Sequence, residues 1–325
     1  MVAAPRSTSR PASDGQIRLL TKVARMYHER GIRQADIADS LHLSQARVSR
    51  LLKRAAELGI VRTVVVVSQG VHTELEEALE ERYGLAEAVV VDVEGGDQDV
   101  ITGLGSAAAD YLESTLTGGE RIGISSWSQT LLSTVDRLRP FRTAGADTVT
   151  QMLGGAGAPG AQAQANRLLS ELASLLGARP TFLPAPGLVA TEAIRRSLLA
   201  DPAIAAVARD WQSLTLALVG IGSLPAAPLL QASGNAVAAE DEAALLAAGA
   251  VGEVCHRFFG ADGQPVGSAL DTRVVGIDAD TLRAVPRRVG LAGGSSKHQA
   301  IRAAVLGGWV NVLLTDIGTA RALLD

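Results

Sequence analysis

A single cysteine, Cys255, in 325 residues excludes a disulfide framework and a cysteine-rich zinc site. No apolar run approaches the roughly 18 residues that a membrane span needs. The opening MVAAPRSTSRPAS lacks the continuous apolar stretch of a signal peptide, so residues 1–13 read as a flexible arm. Catalytic signatures are missing too: there is no HExxH, no GxSxG and no P-loop lysine motif. Of five histidines, only His256 and His298 lie in the alternating α/β stretch from Ala88 onward. Cys255 and His256 are adjacent, a spacing that rarely aims both side chains at one reacting atom, and the thiol reads as buried and inert. Aromatic residues make up only 3%, so the 47% hydrophobic content rests on small and aliphatic side chains, as in a folded α/β protein. The expectation is a soluble, cytoplasmic chain of two domains, with no metal, no cofactor and no catalytic residue.

Charge is present but divided. Residues 1–66 hold 12 Lys and Arg against 5 Asp and Glu, and residues 67–325 hold 18 against 29. A +7 head on a −11 body is the pattern of a nucleic-acid-binding module joined to a domain with another task. Three helices fit the head. The first runs from Gln16 to Arg30, with Ile17, Leu20, Val23, Ala24 and Tyr27 recurring at three- and four-residue spacing, and Gly31 ends it. The second covers Gln34 to Leu41. Past a turn at His42-Leu43, Ser44 can N-cap a third helix from Gln45 to Leu58.

Two helices crossing at a tight turn need a small residue at the contact, and Ala38 supplies it; Val48, Leu51 and Leu52 form the third helix's apolar face, of which Val48 and Leu51 seal the contact. That leaves Ser44, Gln45, Ala46, Arg47, Ser49, Arg50 and Lys53 for the helix start and the outer faces, where base edges and phosphates would lie. A three-helix packing module with a merely wet basic face is the alternative. His42 stands where a turn glycine is common, at some cost in a left-handed conformation. Ile60–Val67 reads as a strand, a wing or a link, and Thr73–Arg82 as a charged helix. The boundaries are 1–13 for the arm, 14–66 for the head and 67–325 for the body.

In the body, apolar runs alternate with amphipathic helices. Strands are expected at Ala88–Asp92, Arg121–Ile124, Thr148–Leu153, Leu214–Val219, Arg273–Ile277, Arg287–Leu291 and Val310–Thr315. Helices are expected at Val100–Leu116, Gln129–Leu138, Asn166–Leu176 and His298–Leu306. This alternation implies an open, doubly wound α/β sheet of Rossmann-like type, with ligands at the carboxyl ends of the strands. Small and hydroxylated residues follow several strands: Ser125-Ser126-Trp127-Ser128, Gly154-Gly155-Ala156-Gly157, Gly220-Ile221-Gly222-Ser223 and Gly293-Gly294-Ser295-Ser296-Lys297. Backbone N–H groups at such helix starts favour anions. Lys297 opposes the helix dipole there; a bound anion and simple exposure at a loop both account for it. Gly103-Leu104-Gly105 lies inside a helical run and is no dinucleotide fingerprint.

The head KVARMYHERGIRQADIADSLHLSQARVSRLLKRAAELGIVR resembles the helix-turn-helix of the SorC family of sugar-responsive bacterial transcription regulators. The run VVGIDADTLRAVPRRVGLAGGSSKHQAIRAAVLGGWVNVLLTDIGTARALL is similar to the end of that family's effector domain, and VGEVCHRFFGADG to its GD-x-x-GRFFD segment. The resemblance spans almost the whole chain. It implies a small, all-α (winged) helix-turn-helix domain and a body of the sugar-phosphate isomerase and deaminase fold that binds without turnover. It also implies homo-oligomers, commonly tetramers, that bind operator double-stranded DNA and answer to a small-molecule effector, a sugar phosphate or related metabolite. By position, Ser125, Ser126, Trp127, Ser128, Gln129, Gln151, Glu253 and Lys297 would line the effector pocket. Three departures stand out: the GISWGxTL loop is one residue longer and lacks the glycine after Trp127; His256 and Gly260 replace the first Gly and the Asp of GRFFD; and Ile317 follows Asp316 where an acid is frequent. A sugar-phosphate isomerase or deaminase with an appended DNA-binding head is the runner-up, and an oligomeric sensor without nucleic acid the third reading.

Overall fold

The computed structural model describes residues 14–61, 71–93, 95–155, 159–224 and 237–325. They fall into two units that divide between residues 67 and 68. In the first unit, α1 (Asp14–Ala24) continues as a π-helical turn, Arg25–Glu29, followed by α2 (Gln34–Ser40) and α3 (Gln45–Glu57). Val23, Ile37, Ala38, Val48 and Leu52 are buried together, and Leu20, Ala24 and Ala55 form a second small cluster. Removing a valine-sized side chain such as Val48 from water is worth about 1.5–3 kcal/mol. The periodicity of α1 fails at both ends: Ile17 and Tyr27 are exposed, not buried. The π turn inserts extra backbone, which rotates Tyr27 off the packed face and brings Met26 against it. The link from α2 to α3 turns on His42, left-handed at φ 51°, while the Leu43 N–H donates to the Ala38 carbonyl at 2.8 Å. Most of the expected Ile60–Val67 strand, and the arm 1–13, lie outside the described residues.

The second unit is built on a seven-stranded parallel sheet. Its strands are β1 (Glu87–Val91), β2 (Glu120–Ile124), β3 (Ala146–Gln151), β4 (Arg179–Thr181), β5 (Leu216–Gly220), β9 (Arg287–Leu291) and β10 (Val312–Asp316), in the spatial order β1-β10-β9-β5-β2-β3-β4. Strand alternation divides the core. Leu216 and Leu218 of β5 pack on one face with α5 (Asp97–Thr115), α6 (Gln129–Val135) and α7 (Pro159–Leu176). Ala217 and Val219 pack on the other, with α4 (Thr73–Tyr83), α9 (Pro202–Trp211), α12 (His298–Leu306) and α13 (Ile317–Leu324). Burial on both faces is why these strands read as near-continuous apolar runs. The remaining helices are α8 (Glu192–Ala200), α10 (Ala239–Ala247) and α11 (Ala279–Ala284). A separate antiparallel sheet joins β6 (Gly222–Ser223), β7 (Ala250–Val254) and β8 (Arg257–Gly260).

One expected strand is corrected. Arg273–Ile277 does not join the sheet: it begins in a 3-10 turn, and its extended part makes only isolated bridges, Gly276 to Leu153 and Val274 to Leu188.

The two edges of the large sheet are treated differently. On β1, the outward N–H groups of Ala88 and Val90 donate to the carboxylates of Glu80 and Glu76 of α4, each at 2.9 Å. Carboxylates one helical turn apart rise about 6 Å, close to the two-residue repeat of a strand. At the far edge β4 is three residues long and contains Pro180, which has no N–H to offer.

Candidate functional site

The chain leaves β2 toward β3 and leaves β5 toward β9, although β2 and β5 are neighbours. Crossovers therefore diverge at this pair and open a crevice at its carboxyl end. A cleft of about 100 Å3 lies there. Ser125, Trp127, Ser128, Gln129 and Thr130 line it from the end of β2, and Gly220, Ile221, Gly222 and Ser223 from the end of β5. Glu253 and Cys255 come from the small sheet, Lys297 from the loop after β9, Ile101 from α5 and Leu153 from beyond β3.

Local bonding shapes the wall. The Gly220 N–H donates to Ser125 Oγ at 3.1 Å, tying the two loops together. Ser128 caps α6, its hydroxyl accepting from the Leu131 N–H at 3.3 Å. Glu253 accepts from the His256 N–H at 2.8 Å through Oε2, while Oε1 faces Gly222, its strand partner. A Cβ at Gly222 would overlap that oxygen, so only glycine lets the carboxylate sit there. Burial raises the pKa of Glu253, opposed by the His256 N–H and by Lys297. Burial also lowers that of Lys297, opposed by Glu253 and Asp97. Both keep some accessible area, but both line the cleft, so desolvation governs them more than area alone suggests. Burial holds the Cys255 thiol protonated, in keeping with an unreactive sulfur.

Six of the eight expected residues thus meet in one cleft: Ser125, Trp127, Ser128, Gln129, Glu253 and Lys297. Ser126 and Gln151 are outside the lining. Ser126 is buried, its hydroxyl without a partner among the described residues. Gln151 is also buried, and its Oε1 accepts from the Leu183 N–H at 3.0 Å. Thr130 and Cys255 were not among the expected lining residues, nor was Ile101, whose place inside a long helix carries no signal. The Gly220–Ser223 loop was visible as a strand end.

Trp127 differs from the other two indoles. Trp211 and Trp309 donate to the Gln151 and Gly263 carbonyls at 3.0 and 2.8 Å. The Trp127 N–H is buried at the nitrogen and has no acceptor among the described residues. A ligand oxygen in the cleft would supply one, so ligand binding should shift the intrinsic emission, and Trp127→Phe should abolish that shift. An unchanged shift in the variant would place the ligand elsewhere.

The loop bearing Lys297 is held from beneath by Asp316, which is buried at the end of β10. Its carboxylate accepts from the Gly294 N–H (2.8 Å), the Thr319 N–H (2.9 Å) and the Thr319 hydroxyl (2.6 Å). A side chain at Gly293 would collide with it. Asp316→Ala strands these donors and should cost about 2–4 kcal/mol of unfolding free energy, with Asp316→Asn losing less. Denaturant midpoints at equal m-values check this; an unshifted midpoint would contradict it.

In the first unit the third helix presents the expected row. Gln45, Ala46, Arg47, Ser49, Arg50 and Lys53 are all exposed, while Val48 and Leu52 point into the core. Ser44 caps α3, its hydroxyl accepting from the Arg47 N–H at 3.3 Å. Among the described residues no helix is long and apolar enough to cross a membrane, and no cluster of His, Cys, Asp and Glu could hold a metal ion.

Comparison with known proteins gives the chain's family. Residues 68–325 match the family model described as "Putative sugar-binding domain". The deoxyribonucleoside regulator of Bacillus subtilis (strain 168) is 32% identical over 308 residues, covering 94% of this chain and 97% of the relative. The sorbitol operon regulator of Klebsiella pneumoniae is 31% identical over 314 residues, covering 95% and 98%. The crystal structure of full-length SorC, the sorbitol operon regulator from Klebsiella pneumoniae, aligns with a TM-score of 0.71 at 29% identity, over 96% of this chain and 100% of that one. With a family model over most of its length and regulators of this kind matching from end to end, the chain belongs to the SorC family of sugar-binding transcriptional regulators.

Proposed function

We propose that the protein is a transcription regulator whose affinity for operator double-stranded DNA is set by a small carbohydrate effector, a phosphorylated sugar or sugar alcohol. The observation that carries the reading is the cleft at the divergence of β2 and β5, lined by hydroxyls, one carboxyl and one amine. The names of the relatives, a deoxyribonucleoside regulator and a sorbitol operon regulator, support a ligand of that class. Ser125, Ser128 and Gln129 would offer hydrogen bonds to hydroxyl or phosphate oxygens, Trp127 its free N–H, and Lys297 and Glu253 the charged contacts. Ser126 and Gln151 would act from behind the wall.

Residues 14–66 would form the helix-turn-helix, with Gln45, Ala46, Arg47, Ser49, Arg50 and Lys53 toward the major groove and Ser44 fixing the helix start. Repeated half-sites call for a homo-oligomer, a tetramer by family resemblance, acting in the cytoplasm. The ligand is bound and released unchanged. Glu253 and Lys297 could also serve an isomerase, so turnover of aldose and ketose phosphates, abolished by Lys297→Ala, would favour the enzyme instead.

The test is competition of the purified protein between its own upstream DNA and random DNA, repeated with a panel of sugar phosphates. Preference for the upstream DNA, altered by one compound, is expected. No preference would sink the regulator reading. Preference unmoved by any compound would sink the effector class.

A further inference from the structure

The chain passes from the first unit to the second between residues 67 and 68, and α4 is the first helix after that point. Apolar burial holds α4 only lightly. Leu79 is its one buried residue, with Leu75 and Tyr83 partly buried beside it. Directed bonds supply the rest. Glu76 and Glu80 hold the helix to β1, and at its far end the Tyr83 hydroxyl donates to the Leu323 carbonyl at 2.6 Å. The Arg82 guanidinium donates to the Leu324 carbonyl. Both carbonyls belong to the last turn of α13, where a helix has no N–H of its own left to offer them.

The other end of α13 is also tied. Asp316 caps it at the Thr319 N–H, and the same carboxylate holds the Gly294 N–H of the loop that leads to Lys297. Between the two ends, Ile317, Thr319, Ala320 and Leu323 are buried, which keeps the helix from rolling or bending. Its eight residues span about 12 Å. Terminal N–H and C=O groups point along a helix axis, so an axial shift at one end is felt at the other. A second branch reaches the same place. The Lys297 loop runs directly into α12, whose Arg302 donates to the Leu323 carbonyl at 3.2 Å. One oxygen therefore receives both α4 and α12.

We propose that α13 is a rigid coupler, and that Tyr83 is the positioning residue through which the Gly293–Lys297 loop and the seat of α4 share one equilibrium. A displacement of the loop carries Asp316 and α13 with it, and the Leu323 carbonyl passes the shift to Tyr83. The element that receives it is the helix through which the sequence runs on from the helix-turn-helix. As a route for an effector signal this rests on the cleft being the effector site; the coupling itself does not.

The test is hydrogen exchange on the full chain without ligand, read by mass spectrometry. Tyr83→Phe keeps the ring and removes one hydroxyl. Exchange in residues 292–297 should quicken about two- to tenfold, the size expected for one lost bond, although the length of α13 lies between. In the reverse direction, Asp316→Asn should quicken exchange at Ala88 and Val90, whose N–H groups α4 holds. The amides of α8, none of whose residues is buried, are the control and should keep parental rates in both variants. Quickening confined to α4 and α13 in Tyr83→Phe overturns the coupler. Equal quickening in α8 overturns it too, because the whole unit has then loosened. With the panel of sugar phosphates, Tyr83→Phe should shrink the effector-induced change in operator affinity several-fold while Trp127 emission still shifts; an undiminished change overturns the route. If the panel moves neither emission nor operator binding in the parent, the cleft reading fails, and the exchange rates still decide the coupling.

Discussion

Replacing Arg47 and Arg50 together by alanine is expected to weaken operator binding by two orders of magnitude or more. A well-placed arginine bond to a base edge is worth about 1–3 kcal/mol, and each 1.4 kcal/mol is a factor of ten in affinity. If one of the two arginines instead neutralises a phosphate, the slope of log affinity against log salt should also become shallower by about one. Both side chains are exposed on α3, and the residues that hold the helix, Val48, Leu52 and Ala55, are untouched. Unfolding midpoint and oligomer size should therefore match the parent. Operator titrations at several salt concentrations decide the matter: parental affinity in the double variant would remove α3 from the DNA interface, and a lowered midpoint would mean the weaker binding came from folding.

Lys297→Ala is expected to separate sensing from DNA binding. Coupling between an effector and a distant site is typically about 1–3 kcal/mol, a shift of roughly 5- to 150-fold in operator affinity. In the variant that shift should fall close to zero, while affinity measured without effector stays near the parental value. The variant also removes the amine that opposes the upward shift of Glu253, so that carboxyl should be protonated more readily. An undiminished response would move the effector site out of the cleft; failure to bind operator without effector would show that Lys297 supports the fold of the sensing unit.

Most of the first unit was legible because its signals are local: small and branched residues at helical spacing, Ser44 at a helix start, Gly31 at a helix end. Arg287–Leu291 was legible for a related reason, its apolar end Val289–Leu291 lying between Pro286 and the glycines Gly293 and Gly294. The β7–β8 hairpin was not. Two-residue hairpin turns are recognised by Asn-Gly or Asp-Gly, because both central residues must be left-handed. Here those places are taken by Cys255 (φ 53°) and His256 (φ 58°), which carry no turn signal and are strained in that conformation. The strand expected at Arg273–Ile277 failed in the opposite direction: Val274, Val275 and Ile277 are apolar because they are buried, not because they pair. At the cleft, residues on loops after strands were foreseeable from the topology. Gln151 was not separable from them, since its engagement by the Leu183 backbone depends on where a distant loop returns.

The carboxylates of Glu76 and Glu80 along β1, and the proline in β4, bear on how copies of this chain meet. An open strand edge is an invitation to any other extended segment, including those of nascent or damaged proteins. With one edge of the sheet occupied by its own helix and the other cut short, fusion of two sheets into a continuous one is disfavoured at both ends. Any association between copies would then run through side chains on helices and loops, contacts that are finite, stereospecific and reversible. A protein built this way can accumulate to the concentration its targets demand without drifting toward fibrous aggregates.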